Sequence, residues 1–247
     1  MSTATAIEIC SMIKGKGLSI RKVPGTTIAN STSGRVIYTP PEGERVLREK
    51  LANWERYLHN ETSVDPLIRM AVAHYQFEAI HPFLDGNGRT GRIVNILFLL
   101  QEELLQSPIL YLSRYIIQNK DDYYQGLIEV TRHGAWESWI LYMLKGIEET
   151  AKWVECIVNR VERLLFDTTE KVKEALPKVY SRELIDTIFA NPYCRASSIV
   201  DVGLAKQQTA LKYLKALCNI GVLHEKKIGR DKVFVNASLL AAIVEDV

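Results

Sequence analysis

Twelve consecutive residues hold most of the chemistry this chain can offer: His81-Pro82-Phe83-Leu84-Asp85-Gly86-Asn87-Gly88-Arg89-Thr90-Gly91-Arg92. Two glycines flank Asn87, which lets backbone N–H groups converge on an anion. A helix starting near Arg89 adds the positive end of its dipole. Arg89 and Arg92 are three apart, so both project from one side of the first helical turn. Two guanidinium groups beside an amide nest make a site for an oligophosphate. Asp85 would repel phosphate unless a divalent cation lay between them, which points to Mg²⁺. His81, four residues earlier, is a base within reach of the same phosphate. Taken singly, a histidine at a helix end, a Gly-Asn-Gly turn and an arginine pair are ordinary surface features. Their concentration in twelve residues argues for a site.

The elements around this loop must position it. From Glu44 to about Glu174 the pattern is helical. Leu47, Leu51, Trp54 and Leu58 recur at spacings of three and four. Asp65-Pro66 starts the next helix, Asp as N-cap and Pro at the first position. It runs to about Ala79, with Ile68, Val72, Tyr75 and Ala79 expected on its apolar face. The helix through IVNILFLLQEEL is apolar nearly all round and is expected at the centre of the core. Ser113 to Asn119, Asp121 to His133 and Glu137 to about Glu174 follow as helices. Before all of these, VPGTTIANSTSGRVIYTPPEGE reads as an extended hairpin. Its arms are Thr26-Thr27-Ile28 and Val36-Ile37-Tyr38, and its turn is Asn30 to Gly34.

Leu176-Pro177 marks a boundary, so the expected domains are 1–43 with the hairpin, 44–176 as a helical core, and 177–247. In the last, Arg182 to Ala190, Ala196 to Val202 and Lys206 to Ile220 read as helices. The third has Ala210, Leu211, Leu214 and Leu217 as its stripe. VLHEKK and KVFV then alternate around Ile228-Gly229-Arg230-Asp231 as two strands and a turn. Helix-turn-helix followed by a hairpin is a winged-helix pattern. The expected fold class is therefore mainly α, with a β-hairpin flap and a C-terminal winged helix.

The chain has 247 residues, 47% hydrophobic and 24% charged, with a formal charge of +2. That composition excludes a disordered tail, a collagen-like repeat and a small disulfide scaffold. The near-neutral balance argues against a surface wholly given to nucleic acid or membrane. It hides an asymmetry: residues 178–247 carry 10 basic and 7 acidic residues, and residues 203–232 carry seven and two. The basic segment includes Lys206, Gln207, Gln208, Lys212 and Lys215 on the third helix and Arg230 at the wing tip. Duplex DNA is therefore a candidate partner through residues 203–232. Cys10, Cys156, Cys194 and Cys218 are far apart and read as reduced thiols of a cytoplasmic protein. No signal peptide is expected at the N-terminus, and the longest apolar stretch, eight residues, is too short to span a membrane.

The twelve-residue stretch resembles the signature of the Fic (Fic/DOC-type) family, H-x-F-x-[D/E]-G-N-[G/K]-R-x-x-R. His81, Phe83, Asp85, Gly86, Asn87, Gly88, Arg89 and Arg92 match every fixed position. The resemblance extends over roughly residues 18–160: the hairpin looks like the family's flap, and YLSRYIIQNKDDYYQGLIEV and WESWILYMLKGI look like its later helices. It implies transfer of AMP from ATP to a Ser, Thr or Tyr hydroxyl of a protein target, with release of pyrophosphate. His81 would take the proton and Asp85 would hold Mg²⁺. Gly86, Asn87 and Gly88 would cradle the phosphates with their N–H groups, and Arg89 and Arg92 would hold the β- and γ-phosphates. Phe83 would be an apolar anchor. Tyr115, Asn119, Tyr123 and Tyr124 would line the adenine pocket. The hairpin, through Thr26, Thr27, Ile28, Val36 and Ile37, would pair with an extended target segment. A winged helix accompanies many bacterial Fic cores.

One family feature is missing. Many members carry an inhibitory helix, [S/T]-x-x-x-E-[G/N]. The only Glu here followed by Gly or Asn is Glu42, with Tyr38 four residues before it. The resemblance therefore implies an unrestrained enzyme, either an N-terminal truncation or one whose brake lies on a partner. Two alternatives stay open: a DNA-binding transcriptional regulator with the Fic core as sensor, or a Fic enzyme that uses another nucleotide or removes AMP. The oligomeric state also stays open, a homodimer included.

Overall fold

The computed structural model describes residues 1–29, 36–229 and 231–244. The chain is mostly helical and divides into two compact units, residues 1–152 and 153–247. The predicted turn at Asn30 to Gly34 and the wing-tip Arg230 lie outside the described residues.

The first unit opens with a helix absent from the sequence-based expectation, α1 (Thr3–Lys14). The Ser2 hydroxyl caps its first turn by accepting from the Thr5 N–H at 3.2 Å, and Gly15 closes it at φ 63°. A lone Ser followed by mixed apolar residues is a weak start signal, so α1 is held by packing against the later helix of the site loop. The hairpin follows as β1 (Ile28–Ala29) and β2 (Val36–Tyr38), antiparallel, with Ile28 opposite Tyr38. The first arm thus begins at Ile28, and Thr26 and Thr27 precede it. An irregularity between Ile28 and Ala29 shifts the register, and alternation alone cannot show such a shift.

α2 (Glu44–Asn60) buries Leu47, Leu51, Trp54 and Leu58, the stripe that its spacing predicts. Each leucine contributes about 2 kcal/mol of apolar burial. The Trp54 indole N–H donates to the Ala73 carbonyl at 3.1 Å, so the ring is buried without an orphaned donor. α3 (Pro66–Ile80) starts as expected: the Asp65 carboxylate accepts from the Leu67 N–H at 2.8 Å, with Pro66 at the first position.

The face of α3 differs from the expectation. Ile68, Val72, Tyr75 and Ala79 are only half-buried, while Arg69, His74, Phe77 and Glu78 lie on the buried side. A period count treats Arg, His and Glu as solvent residues. Here partners replace the solvent. Arg69 donates to the Leu58 carbonyl at 3.1 Å, pairs with Glu102 and lies 5.1 Å over the Phe98 ring. His74 shares hydrogen bonds with the Tyr123 hydroxyl at 2.9 Å and the Asn95 side chain at 3.1 Å.

α4 (Asn87–Gln101) packs on both α1 and α3 and buries Val94, Phe98 and Leu99, in line with its central position. α5 (Ser113–Gln118) and α6 (Lys120–His133) follow, then α7 (Trp136–Ala175), whose first turns belong to this unit. Trp139 of α7 is fully buried and donates its indole N–H to the Ala71 carbonyl at 2.8 Å.

The second unit contains the rest of α7, α8 (Arg182–Ala190), β3 (Tyr193–Cys194), α9 (Ala196–Asp201), α10 (Gln207–Asn219), β4 (His224–Ile228), β5 (Asp231–Val235) and α11 (Ala237–Val244). Its sheet order is β3-β5-β4. Ala210, Leu214 and Leu217 of α10 are fully buried with Phe234, and Leu211 packs at the margin. Two elements had no sequence signal. β3 has only two residues and exists by pairing with β5, and α11 is short and almost uniformly apolar. Among the described residues no helix is long and apolar enough to cross a membrane.

Candidate functional site

His81 ends α3 in a left-handed conformation, φ 50° and ψ 60°. Its N–H closes the helix on the Phe77 carbonyl at 3.0 Å. A non-glycine residue in this region is uncommon, and such residues cluster where a side chain must be aimed. Pro82 and Phe83 turn the chain inward, and Phe83 is buried beside Phe77. The Asn87 side chain then braces the loop. Its carbonyl oxygen accepts from the Phe83 N–H at 2.8 Å and its amide donates to the Phe83 carbonyl at 2.8 Å.

Gly86 begins α4 at φ 94°, and a Cβ there would lie 3.1 Å from the Cys10 sulfur. The backbone angle strains any residue with a side chain, and the sulfur leaves a Cβ little room. No side chain caps this helix, so its first N–H groups, from Asn87 onward, remain available to an anion. Arg89 is exposed. Arg92 is half-buried and donates its Nε–H to the Ser113 hydroxyl at 2.7 Å. Ser113 opens α5 and carries no sequence signal for this role, because the contact crosses 21 residues of chain.

A cavity of about 140 Å³ lies between the hairpin, α3, α4 and α6. His81, Gly88, Arg92, Tyr123 and Tyr124 line it, with Ile28 and Ile37 from the hairpin. Tyr115 and Asn119 do not line it. Tyr115 packs against Tyr142 and closely over Gly146, where a Cβ would come within 2.6 Å of its ring. The Asn119 amide donates to the Tyr115 carbonyl at 3.0 Å at the junction of α5 and α6. Thr26, Thr27 and Val36 also lie outside the cavity lining, with Thr27 and Val36 exposed. Asp85 borders a different groove, with Phe83, Leu84 and residues 16–23. Its carboxylate is exposed and pairs with Lys14 of α1.

The electrostatics give His81 and Asp85 different states. Burial pushes the His81 imidazole down to about 4, and its Nδ1 has no hydrogen-bond partner. It is therefore neutral at pH 7, with Nδ1 turned into the protein. The Lys14 ammonium holds the Asp85 carboxyl below its ordinary range.

Glu78 is the residue that sequence reasoning missed in this cavity. It is buried, one carboxylate oxygen has no partner, and burial pushes it up to about 7, opposed by Arg92. Because its folded value exceeds the ordinary 4.5, the fold disfavours the charged form. That cost is absent at pH 4, grows through pH 4.5–7 and is complete above. Replacing Glu78 with Gln is expected to stabilise the protein by about 3 kcal/mol more at pH 8 than at pH 4. Thermal melts of both forms across that range check it, and a pH-independent offset would contradict it.

Residues 3–99 match the Fic/DOC family, and residues 164–239 match the C-terminal domain of SoFic-like protein adenylyltransferases. The chain is 34% identical over 113 residues to protein adenylyltransferase fic-1 of Caenorhabditis briggsae, covering 45% of this chain and 21% of that protein. It is 38% identical over 77 residues to a probable protein adenylyltransferase of Aquifex aeolicus, covering 31% and 23%. The chain thus spans about a fifth of the length of these relatives. A crystal structure of a Fic family protein from Desulfovibrio desulfuricans shares the fold at 17% identity, with a TM-score of 0.53 over 93% of this chain and 67% of that one. The chain carries a Fic/DOC family domain followed by a SoFic-like C-terminal domain.

Proposed function

We propose that this chain transfers AMP from ATP to a hydroxyl of a protein target. The observation that carries the reading is His81, kept neutral by burial, lining one cavity with Arg92 and beside the uncapped N-terminus of α4. In this reading a Ser, Thr or Tyr oxygen attacks the α-phosphorus and its proton passes to His81. The bond from the α-phosphorus to the bridging oxygen breaks, and pyrophosphate leaves. The N–H groups at Gly86, Asn87 and Gly88 receive the phosphate oxygens, and Arg89 and Arg92 take the charge of the leaving group. Most of the acceleration is positioning and fixed charge.

The base pocket is formed by Tyr123, Tyr124, Ile28 and Ile37, and Tyr115 and Asn119 act behind it by packing. The hairpin edge around Thr27 and Val36 is free to add a strand from the target. Asp85 suits a divalent cation. It is a single exposed carboxylate that already accepts one cationic partner, and Mg²⁺ commonly uses one or two carboxylates with phosphate and water. Such a cation supplies charge neutralisation at the phosphates. The reading places the protein in the cytoplasm.

The test is intact-mass analysis of candidate target proteins after incubation with Mg²⁺ and ATP, GTP, CTP or UTP. The expected result is the mass of one AMP, from ATP alone. Unmodified targets and an unmodified enzyme would overturn the reading.

A second reading concerns the basic part of the second unit, whose arrangement suits a winged helix. Lys206, Gln207, Gln208, Lys212 and Lys215 are all exposed on one segment, flanked by Lys226 and Lys227 of β4. In this reading the face binds duplex DNA through its phosphates. Affinity would then fall steeply with salt, by about tenfold or more between 50 and 200 mM. Binding that is absent at low salt removes it.

A further inference from the structure

Arg21 lies in the linker between α1 and the hairpin, 60 residues before His81, and it is almost wholly buried. Its contacts converge on one place. The backbone N–H donates to the Pro82 carbonyl at 2.9 Å. The side-chain Nε–H donates to the His81 carbonyl at 2.8 Å. The Nη2 group donates to the Pro41 carbonyl at 2.5 Å and reaches the Ile80 carbonyl at 3.5 Å. The Tyr38 hydroxyl, at the end of β2, donates to the Ala79 carbonyl at 3.0 Å.

The last carbonyls of a helix have no partners within it and normally face water or a glycine cap. Here Ala79, Ile80, His81 and Pro82 all have theirs taken by Arg21 and Tyr38. That satisfies the end of α3 without a glycine and holds His81 in the left-handed region. A planar guanidinium donates from separate nitrogens held in a fixed fork, which the single nitrogen of an ammonium cannot reproduce.

We propose that Arg21 is a positioning residue for His81, fixing the backbone from which the imidazole faces the reacting hydroxyl and tying that backbone to the base of the hairpin through Pro41. The same residue therefore links the place where a target strand would dock to the group that would take its proton. The inference rests on the transfer reading above.

The measurement is steady-state AMP transfer by the full chain, with wild type and a His81→Ala variant run beside it. Arg21→Met is expected to lower kcat at least tenfold with the KM for ATP within about twofold, because a displaced base costs rate while the phosphate contacts persist. The charged and titratable groups facing His81 and its cavity are Arg21, Asp85, Glu78, Arg92, Tyr38, Tyr75, Tyr123 and Tyr124. Arg21 opposes protonation of the imidazole, so its loss is expected to move the acid limb of the kcat profile upward. A merely structural role would not move that limb.

Arg21→Lys keeps the charge but has one nitrogen in place of the separate Nε and Nη2 donors. It is expected to recover part of kcat, and it decides the matter if Arg21→Met does not fold. Wild-type kcat in either variant overturns the proposal, as does a loss shared by kcat and ATP affinity with the acid limb unmoved. An inactive wild type instead sinks the transfer reading, so the two failures are distinct.

Discussion

Replacing His81 with alanine is expected to lower kcat for AMP transfer by about 10²–10⁴-fold while ATP binding stays within a few-fold. The size follows from the role. A general base contributes only in the transition state, so its removal should appear in kcat and not in ground-state affinity. In the proposed reading the phosphate contacts, namely the uncapped N–H groups of α4 and the guanidiniums of Arg89 and Arg92, do not pass through the imidazole. Equilibrium binding of ATP separates the two effects from turnover.

The pH dependence has a fixed sign. Burial has pushed His81 down to about 4, so the base form dominates above that value and activity should persist well below the ordinary histidine range. A wild-type kcat that declines with a midpoint near 6.5 would show an imidazole more hydrated than this one. Activity unaffected by His81→Ala would remove the histidine from the mechanism.

Much of the site was legible in the chain. The twelve residues from His81 to Arg92 form one continuous loop and helix start, which brings His81, Gly88 and Arg92 to one cavity while Asp85 borders another groove. Equally legible were α2, which packs chiefly against α3, the next helix in the chain, and the Asp65-Pro66 start of α3. Legibility fails where a residue's meaning depends on a distant partner. Arg21 reads as one cation in a basic linker until its contacts with His81 and Pro41 are seen. Ser113 reads as a helix start until it meets Arg92. His74 and Glu78 read as the polar face of α3, yet they are buried because Tyr123, Asn95 and Arg92 approach from α6 and α4. Tyr115 also depends on a distant partner. The family resemblance implies a place in the adenine pocket, and its ring packs against α7, where Gly146 leaves room for it.

Asn87 shows why the motif's residue types matter beyond the atoms that face phosphate. Its side chain is spent on the loop, with both amide groups bonded to the buried backbone of Phe83 at 2.8 Å. Asn87→Ala would leave the Phe83 N–H and carbonyl unpaired, at about 1–3 kcal/mol each. The expected loss is thus about 2–6 kcal/mol, and a Tm lower by roughly 5–20 °C for a chain of this size. Water cannot easily make up the bonds, because Phe83 is 1% exposed. The same loop aims the first N–H groups of α4, so a displacement of about 1 Å should cost on the order of 10²-fold in rate. Asn87→Asp separates the two consequences. It keeps an acceptor for the Phe83 N–H but sets a carboxylate against the Phe83 carbonyl and beside incoming phosphate. It should therefore lose less stability than Asn87→Ala and at least as much activity. Calorimetric melts and AMP-transfer rates on the same preparations check the pair. If Asn87→Ala melts with wild type and keeps its rate, the brace contributes to neither.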